Sequence, residues 1–75
     1  MALQEDAKQI MGRIIREARK AQKLTQKQLG LKMGYSESSA ERIIQHWESG
    51  SQPVPLEQLK QLAKVLGTTV DNLLP

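Results

Sequence analysis

The chain has 75 residues, a formal net charge of +3 and no cysteine, which fits one small domain without disulfides or thiolate metal sites. No stretch approaches the roughly 18 consecutive apolar residues of a membrane-spanning helix, and the N-terminus lacks the apolar core of a signal peptide. We therefore expect a cytoplasmic protein with no membrane partner, whose core is built from aliphatic side chains.

The first predicted element is an amphipathic helix over residues 3–22. Its residues facing one side recur at steps of three and four: Leu3, Ala7, Ile10, Met11, Ile14, Ile15, Ala18 and Gln22. Gly12 lies within this pattern and weakens the predicted helix by about 1 kcal/mol relative to alanine.

Two shorter helices joined by a turn are predicted within residues 24–50. Thr25 is a candidate N-cap for the first of them. Gly34 is expected to end it, because glycine adopts the left-handed conformation without a Cβ clash, and Ser36 is a candidate N-cap for the second. The apolar residues expected to face the core are Leu29, Met33, Ala40, Ile43, Ile44 and Trp47. This arrangement is that of a helix-turn-helix.

Two more helices are predicted after the polar loop that follows Glu48. Pro55 suits the first position of the fourth helix, because the N–H that it lacks would have no partner there. Gly67 is expected to end this helix, and Thr69 is a candidate cap for a short fifth helix. The apolar residues are Leu56, Leu59, Leu62, Ala63 and Leu66, then Val70, Leu73 and Leu74. Five helices without strands predict an all-α bundle with the helix-turn-helix at its centre.

Basic residues concentrate ahead of the predicted turn. Over residues 13–32, Glu17 is the only carboxylate. The basic residues of this segment are Arg13, Arg16, Arg19, Lys20, Lys23, Lys27 and Lys32. Such a cluster suits a phosphate partner, although a solvated lysine-rich helix is the alternative. Residues 33–59 are acidic in balance, which favours a protein partner instead.

Six short motifs follow one another along the chain. They are Ile15-Arg16-Glu17-Ala18-Arg19, Leu24-Thr25-Gln26-x-x-Leu29, Gly34-x-Ser36, Trp47-Glu48-x-Gly50, Leu59-x-x-Leu62-Ala63-x-x-Leu66-Gly67 and Asp71-x-Leu73-Leu74. Residues 10–74, which contain them, resemble the lambda-repressor-like DNA-binding domain of the Cro-repressor and xenobiotic-response-element family. The resemblance implies sequence-specific binding of double-stranded DNA by a transcriptional regulator such as a repressor. We take residues 1–9 as an N-terminal extension of helix 1 and residues 10–75 as the helix-turn-helix domain.

The chain departs from the family pattern around the predicted turn. Between Ser36 and Glu48 it has about four residues more than the family usually has, roughly one helical turn. We therefore expect the second helix of the pair to be longer at one end. Gly30 stands where the family usually has alanine, and Leu31 where it usually has a polar residue.

The outward face of this second helix holds the candidate base-reading residues. In a helix-turn-helix this face enters the major groove. Arg42 can donate two hydrogen bonds to guanine, Gln45 can pair with adenine and Glu41 can accept from cytosine. The candidates are Ser38, Glu41, Arg42 and Gln45, with Ser49 on the same face and His46 beside it. A solvated polar face is the alternative.

Further roles are implied by the resemblance. Gln26 matches a position that bonds a DNA phosphate, and phosphate contacts set the register of a protein on DNA. The other candidates for contact with the DNA backbone are Lys27, Ser36, Ser39, Gly50, Ser51 and Gln52. Arg19 and Glu48 match family positions that form an ion pair, which we expect to be partly buried.

Catalysis has little support in this sequence. His46 is the only histidine, and no aspartate or cysteine lies at a useful spacing from it. We expect no enzyme activity, metal site or cofactor. The alternative function is a protein-interaction module, or an antitoxin that binds both a protein and DNA.

A homodimer on DNA is expected, because one recognition helix reaches too few base pairs to single out a site in a genome. Two copies would read half-sites roughly 34 Å apart. At the C-terminal end, Leu74 is the best candidate for the dimer interface, whereas Val70 and Leu73 are expected to cover the core of the monomer.

Overall fold

Five α-helices make up the part of the chain that the computed structural model describes, residues 6–75. They are α1 (Ala7–Ala21), α2 (Gln26–Lys32), α3 (Ala40–Ser49), α4 (Leu56–Val65) and α5 (Val70–Leu73). No strand occurs over this range, which confirms the predicted all-α, five-helix fold. Leu3, the first residue of the predicted apolar pattern, lies outside the described residues. None of the described helices is long and apolar enough to cross a membrane.

The core is formed by the apolar stripes of all five helices. Its buried residues are Ile15, Leu29, Met33, Ala40, Ile44, Trp47, Leu59, Leu62, Ala63, Leu66 and Leu73. Each fully buried leucine or isoleucine contributes about 1.5–3 kcal/mol relative to exposure. Leu56 is not part of this core, contrary to prediction: it is 62% exposed, because it belongs to the first turn of α4, ahead of the turns that pack inward.

Side-chain caps define where the helices start. The Thr25 hydroxyl accepts the N–H of Gln28 at 3.0 Å, and the Gln28 side chain accepts the N–H of Thr25 at 2.8 Å. Thr69 caps α5 by accepting the N–H of Asn72. Both predicted caps are therefore present. Pro55 is itself the N-cap residue of α4, so that helix begins one residue later than predicted.

Gly12 lies at a close contact between α1 and α3. A Cβ atom at this position would lie 2.3 Å from the carbonyl oxygen of Glu48 and 2.7 Å from that of Trp47. Those separations are far below van der Waals contact, so only glycine allows the two helices to approach this closely. The residue that weakens the isolated helix is thus required by the packed one.

The connection between α2 and α3 differs from the prediction. Gly34 has a φ of +94°, as expected for the end of α2. Ser36, however, does not cap α3, which begins only at Ala40. Instead, the carbonyl of Ser36 accepts the N–H groups of Ser39 at 3.1 Å and Ala40 at 2.8 Å. The extra residues therefore form a separate hydrogen-bonded turn, residues 36–39, and do not lengthen the helix.

Side-chain hydroxyls stabilise this inserted turn. The Oγ atom of Ser36 lies 2.9 Å from that of Ser39 and 3.2 Å from that of Ser38. Serine side chains that bond locally in this way compete with helix formation. The Ser36 hydroxyl is therefore occupied within the turn, which explains why it does not cap the helix.

Gly30 of α2 packs against the first residue of α3. A Cβ atom at Gly30 would lie 2.4 Å from the carbonyl oxygen of Ala40 and 2.6 Å from its Cβ atom. Two departures from the family pattern thus depend on each other. The inserted turn delivers Ala40 onto α2, and the missing side chain at Gly30 makes room for it.

Candidate nucleic-acid interface

The outward face of α3 carries three of the four predicted base-reading residues. Glu41, Arg42 and Gln45 are all exposed. The Gln45 amide nitrogen lies 3.4 Å from a carboxylate oxygen of Glu41, one helical turn earlier. Ser38 is not on this face, contrary to prediction, because α3 starts after it and leaves it in the inserted turn.

An open recess of about 490 Å³ lies where α1, the start of α2 and α3 meet. Its lining residues are Arg16, Arg19, Gln26, Gln45, Glu48 and Ser49. The recess therefore brings Gln26, the predicted phosphate contact, together with Gln45, a predicted base reader. All of its lining residues are polar or charged, with two guanidinium groups against one carboxylate.

Arg16 was missed as a candidate site residue. It is exposed, and it forms no hydrogen bond or ion pair with the other described residues. Its guanidinium is thus available to a ligand in the recess. Its position three residues before Arg19 could have identified it from the sequence, because residues at that spacing share one face of a helix.

Arg19 and Glu48 form an ion pair beneath the recess. The Nε atom of Arg19 donates to Oε2 of Glu48 at 2.6 Å, and Nη2 donates to Oε1 at 3.1 Å. The third donor, Nη1, bonds the carbonyl oxygen of Leu24 at 2.8 Å. The side chains are only 10% and 5% exposed. This two-point contact joins α1 to the end of α3, and it leaves Arg19 occupied.

Gln26 is fixed by the same carboxylate. Its side-chain nitrogen donates to Oε1 of Glu48 at 3.1 Å. An amide nitrogen has two N–H groups, so a second one remains for a phosphate. Glu48 therefore orients Gln26 as well as neutralising Arg19.

Lys27, the next residue along α2, already has a partner. Its ammonium nitrogen lies 2.8 Å from Oε1 of Glu37 in the inserted turn. This hydrogen bond raises the pKa of Lys27 above its ordinary value, and the charges of Glu37 and Glu41 raise it further. The lysine predicted to contact the DNA backbone thus faces two carboxylates.

The loop after α3 contains three of the predicted contacts with the DNA backbone, and their amides bond within the fold. Gly50 has a φ of +79°, and its N–H bonds the carbonyl of Trp47 at 3.3 Å. The N–H groups of Ser51 and Gln52 bond the carbonyl of His46 at 3.1 and 3.4 Å. These three amides therefore close the C-terminus of the helix, and contact of Gly50, Ser51 and Gln52 with the DNA backbone stays a prediction.

His46 takes part in the same loop. Its Nδ1 atom lies 2.7 Å from the hydroxyl oxygen of Ser51. The imidazole therefore ties the last turn of α3 to the loop that follows it. Among residues 6–75, no group of histidine, aspartate and glutamate side chains is arranged to hold a metal ion.

Similarity to known proteins extends over most of the chain. The helix-turn-helix family model, which describes lambda-repressor-like domains, matches residues 15–73. No curated protein sequence matches the chain.

Solved structures share the fold. The chain is 25% identical to the hydroxypropylphosphonic acid epoxidase from S. wedmorenis, with a TM-score of 0.79, over 96% of this chain and 36% of that one. It is also 25% identical to apo-HppE, with a TM-score of 0.78, over 93% and 37% of the two chains. The third example, Fe(II)-HppE with an alternative substrate, has 25% identity and a TM-score of 0.80, over 96% and 35%. This chain thus spans little more than a third of these solved chains.

Proposed function

Since this chain belongs to the lambda-repressor-like helix-turn-helix family, we propose that it is a transcriptional regulator that reads DNA with α3. Binding to double-stranded DNA is a property of the family. The observation that carries the finer proposal is the exposed face of α3, with Glu41, Arg42 and Gln45, beside a recess that holds Arg16 and Gln26.

The α3 face offers three kinds of base contact. The major groove is about 12 Å wide and admits one helix. Arg42 has the planar fork that recognises O6 and N7 of guanine, and Gln45 can bond N6 and N7 of adenine. Glu41 accepts from Gln45 in the free protein and can accept from cytosine instead. Groove entry therefore exchanges a hydrogen bond within the protein for contacts with bases.

The recess supplies the contacts that position α3. Arg16 brings a positive charge, and Gln26 brings an amide that Glu48 orients. A phosphate between these two residues would set the depth and register of α3 without reading sequence. Arg19 has a different role, because each of its three side-chain nitrogens already bonds Glu48 or Leu24 and the side chain is only 10% exposed.

The proposal includes a homodimer on DNA. Leu74 follows α5 and is 43% exposed, whereas Leu73 is buried and Val70 is half-buried. Leu74 is therefore the apolar side chain that a second copy can cover at this end of the fold. A two-fold dimer doubles the number of bases read and so raises specificity.

A protein-interaction module is the second candidate. Its support is the exposed carboxylates Glu37, Glu41 and Glu57, together with the exposed Leu31 on α2. We propose no catalytic activity for this chain. The epoxidase chains are nearly three times as long as the shared part, and His46 is engaged with Ser51.

DNA binding is tested by fluorescence anisotropy with a labelled duplex of random sequence over a salt series. Two cationic phosphate contacts, from Arg16 and Lys27, predict that affinity falls about 12-fold between roughly 0.05 and 0.2 M salt, since each contact releases counterions. A dissociation constant that does not change with salt would rule out DNA as the main partner and favour the protein-interaction module.

A further inference from the structure

The inserted turn places a carboxylate on the predicted contact for the DNA backbone. Glu37 belongs to this turn, and its Oε1 lies 2.8 Å from the ammonium nitrogen of Lys27. The two side chains are 75% and 48% exposed. Lys27 follows Gln26, which lines the recess. The ion pair therefore joins α2 to the inserted turn at the solvent surface of the protein.

The position of Glu37 is set by the backbone of the turn. The carbonyl of Ser36 accepts two N–H groups, from Ser39 and Ala40. Ala40 is in turn packed against Gly30. Glu37 thus projects from a segment that is held at both ends, so its carboxylate stays within reach of Lys27.

A second carboxylate adds to the effect. Glu41 lies in the first turn of α3 and also acts on the charge of Lys27, whose pKa is raised mainly by the hydrogen bond to Glu37. Two negative groups from α3 and its leading turn therefore oppose one positive group on α2. A phosphate that approaches Lys27 meets this negative charge first.

We propose that Glu37 is an internal competitor for DNA phosphate, which must displace its carboxylate before it can bind Lys27. This inference rests on the proposed DNA-binding function. Glu37 would therefore weaken the attraction to the DNA backbone, which is the same for every DNA sequence. Base contacts from Arg42 do not involve Lys27, so Glu37 lowers overall affinity without taking part in base reading.

The competition is electrostatic and therefore depends on salt. After displacement, the Glu37 carboxylate stays near the phosphate and repels it. Both the lost ion pair and this repulsion are screened as the Debye length shortens from about 30 Å at 0.01 M to about 10 Å at 0.1 M salt. The penalty is greatest at low salt and fades at high salt.

The test is Glu37→Gln, measured by anisotropy with a labelled duplex of random sequence over a salt series from about 0.01 to 0.2 M. We expect binding about 1.4- to fivefold tighter than the parent at low salt, the range of an exposed ion pair, with the two curves converging at high salt. Glu57→Gln removes the same charge from the first turn of α4 and is the matched control. Affinity of Glu37→Gln that equals that of Glu57→Gln, or is weaker, overturns the inference.

A Lys27→Ala background separates competition from simple repulsion. In that background Glu37→Gln should raise DNA affinity no more than Glu57→Gln does, because the ammonium group of Lys27, for which carboxylate and phosphate compete, is gone. An equal gain in both backgrounds overturns the competitor role. A parent that binds no duplex overturns the proposed function and this inference with it, whereas a parent that binds while Glu37→Gln changes nothing overturns this inference alone. Circular dichroism checks that each variant is folded, as expected for substitutions in an exposed pair.

Discussion

Glu48→Ala removes the carboxylate that connects three helices at one point. Its oxygens accept from Arg19 at 2.6 and 3.1 Å and from Gln26 at 3.1 Å. Without Glu48, the guanidinium keeps its bond to the carbonyl of Leu24 but loses its counter-charge. The Arg19 side chain is 10% exposed, so water cannot replace that counter-charge without a local rearrangement.

The free energy of unfolding that Glu48→Ala removes should be a large part of the stability of the domain. Removing one partner of a buried ion pair destabilises by about 3–5 kcal/mol, because the other charge is stranded. A chain of this length has a total stability of roughly 4–11 kcal/mol. We therefore expect Tm to fall by at least about 12 °C. If the free energy of unfolding of the parent lies at the low end of this range, part of the variant should be unfolded at room temperature.

Urea unfolding, followed by circular dichroism, measures the effect. The midpoint should fall by about 2 M or more, while Glu57→Ala, which removes an exposed carboxylate, should stay within about 0.5 kcal/mol of the parent. Replacing Arg19 and Glu48 together by methionine should recover most of the loss, because no charge remains buried. An unchanged midpoint for Glu48→Ala would refute the reasoning, as would a double variant that loses the sum of the single effects.

Three further outcomes follow from the geometry. Gly30→Ala should destabilise by about 1–3 kcal/mol through overlap with Ala40, despite the gain of about 1 kcal/mol in helix propensity; a raised urea midpoint would contradict this packing. Arg16→Ala should weaken binding to all duplexes and reduce the salt slope by about 1, whereas Lys60→Ala on α4 should leave both unchanged. Leu74→Glu should abolish cooperative binding to a palindrome, and sedimentation that finds one parent protein per full palindrome at saturation would exclude the dimer.

Features that depend on neighbouring residues were predictable from the sequence. The caps Thr25 and Thr69 act on an N–H three residues away, and the turn at Gly34 depends on the conformation of one residue. The apolar spacing of each helix selects its inward face in the same local way. These signals lie within a few residues of one another, so no knowledge of the tertiary fold was needed.

The inserted turn could not be predicted from local signals. Ser36, Ser38 and Ser39 offer three hydroxyls as alternative helix starts, and nothing local decides between them. The choice depends on Ala40 packing against Gly30, a contact between different helices. An interpretation of Ser36 as the cap was therefore wrong for a tertiary reason.

The candidate site was predicted as a set of residues but not as a set of contacts. The pairing of Arg19 with Glu48 followed from the family resemblance. The bonds from Gln26 to Glu48 and from Lys27 to Glu37 join residues distant in sequence, so helix periodicity does not reveal them. Those partners decide which donors remain for a ligand.

Selection of bound sequences from a random DNA pool, with the parent and Arg42→Ala in parallel, tests the central claim that α3 reads the major groove. We expect a two-fold symmetric motif for the parent. We also expect Arg42→Ala to lose its preference for one guanine in each half-site, with a loss of about 1–3 kcal/mol in binding free energy on that motif. A parent pool without any enriched motif would contradict the claim, as would an Arg42→Ala pool that enriches the same motif with the same preference at every position.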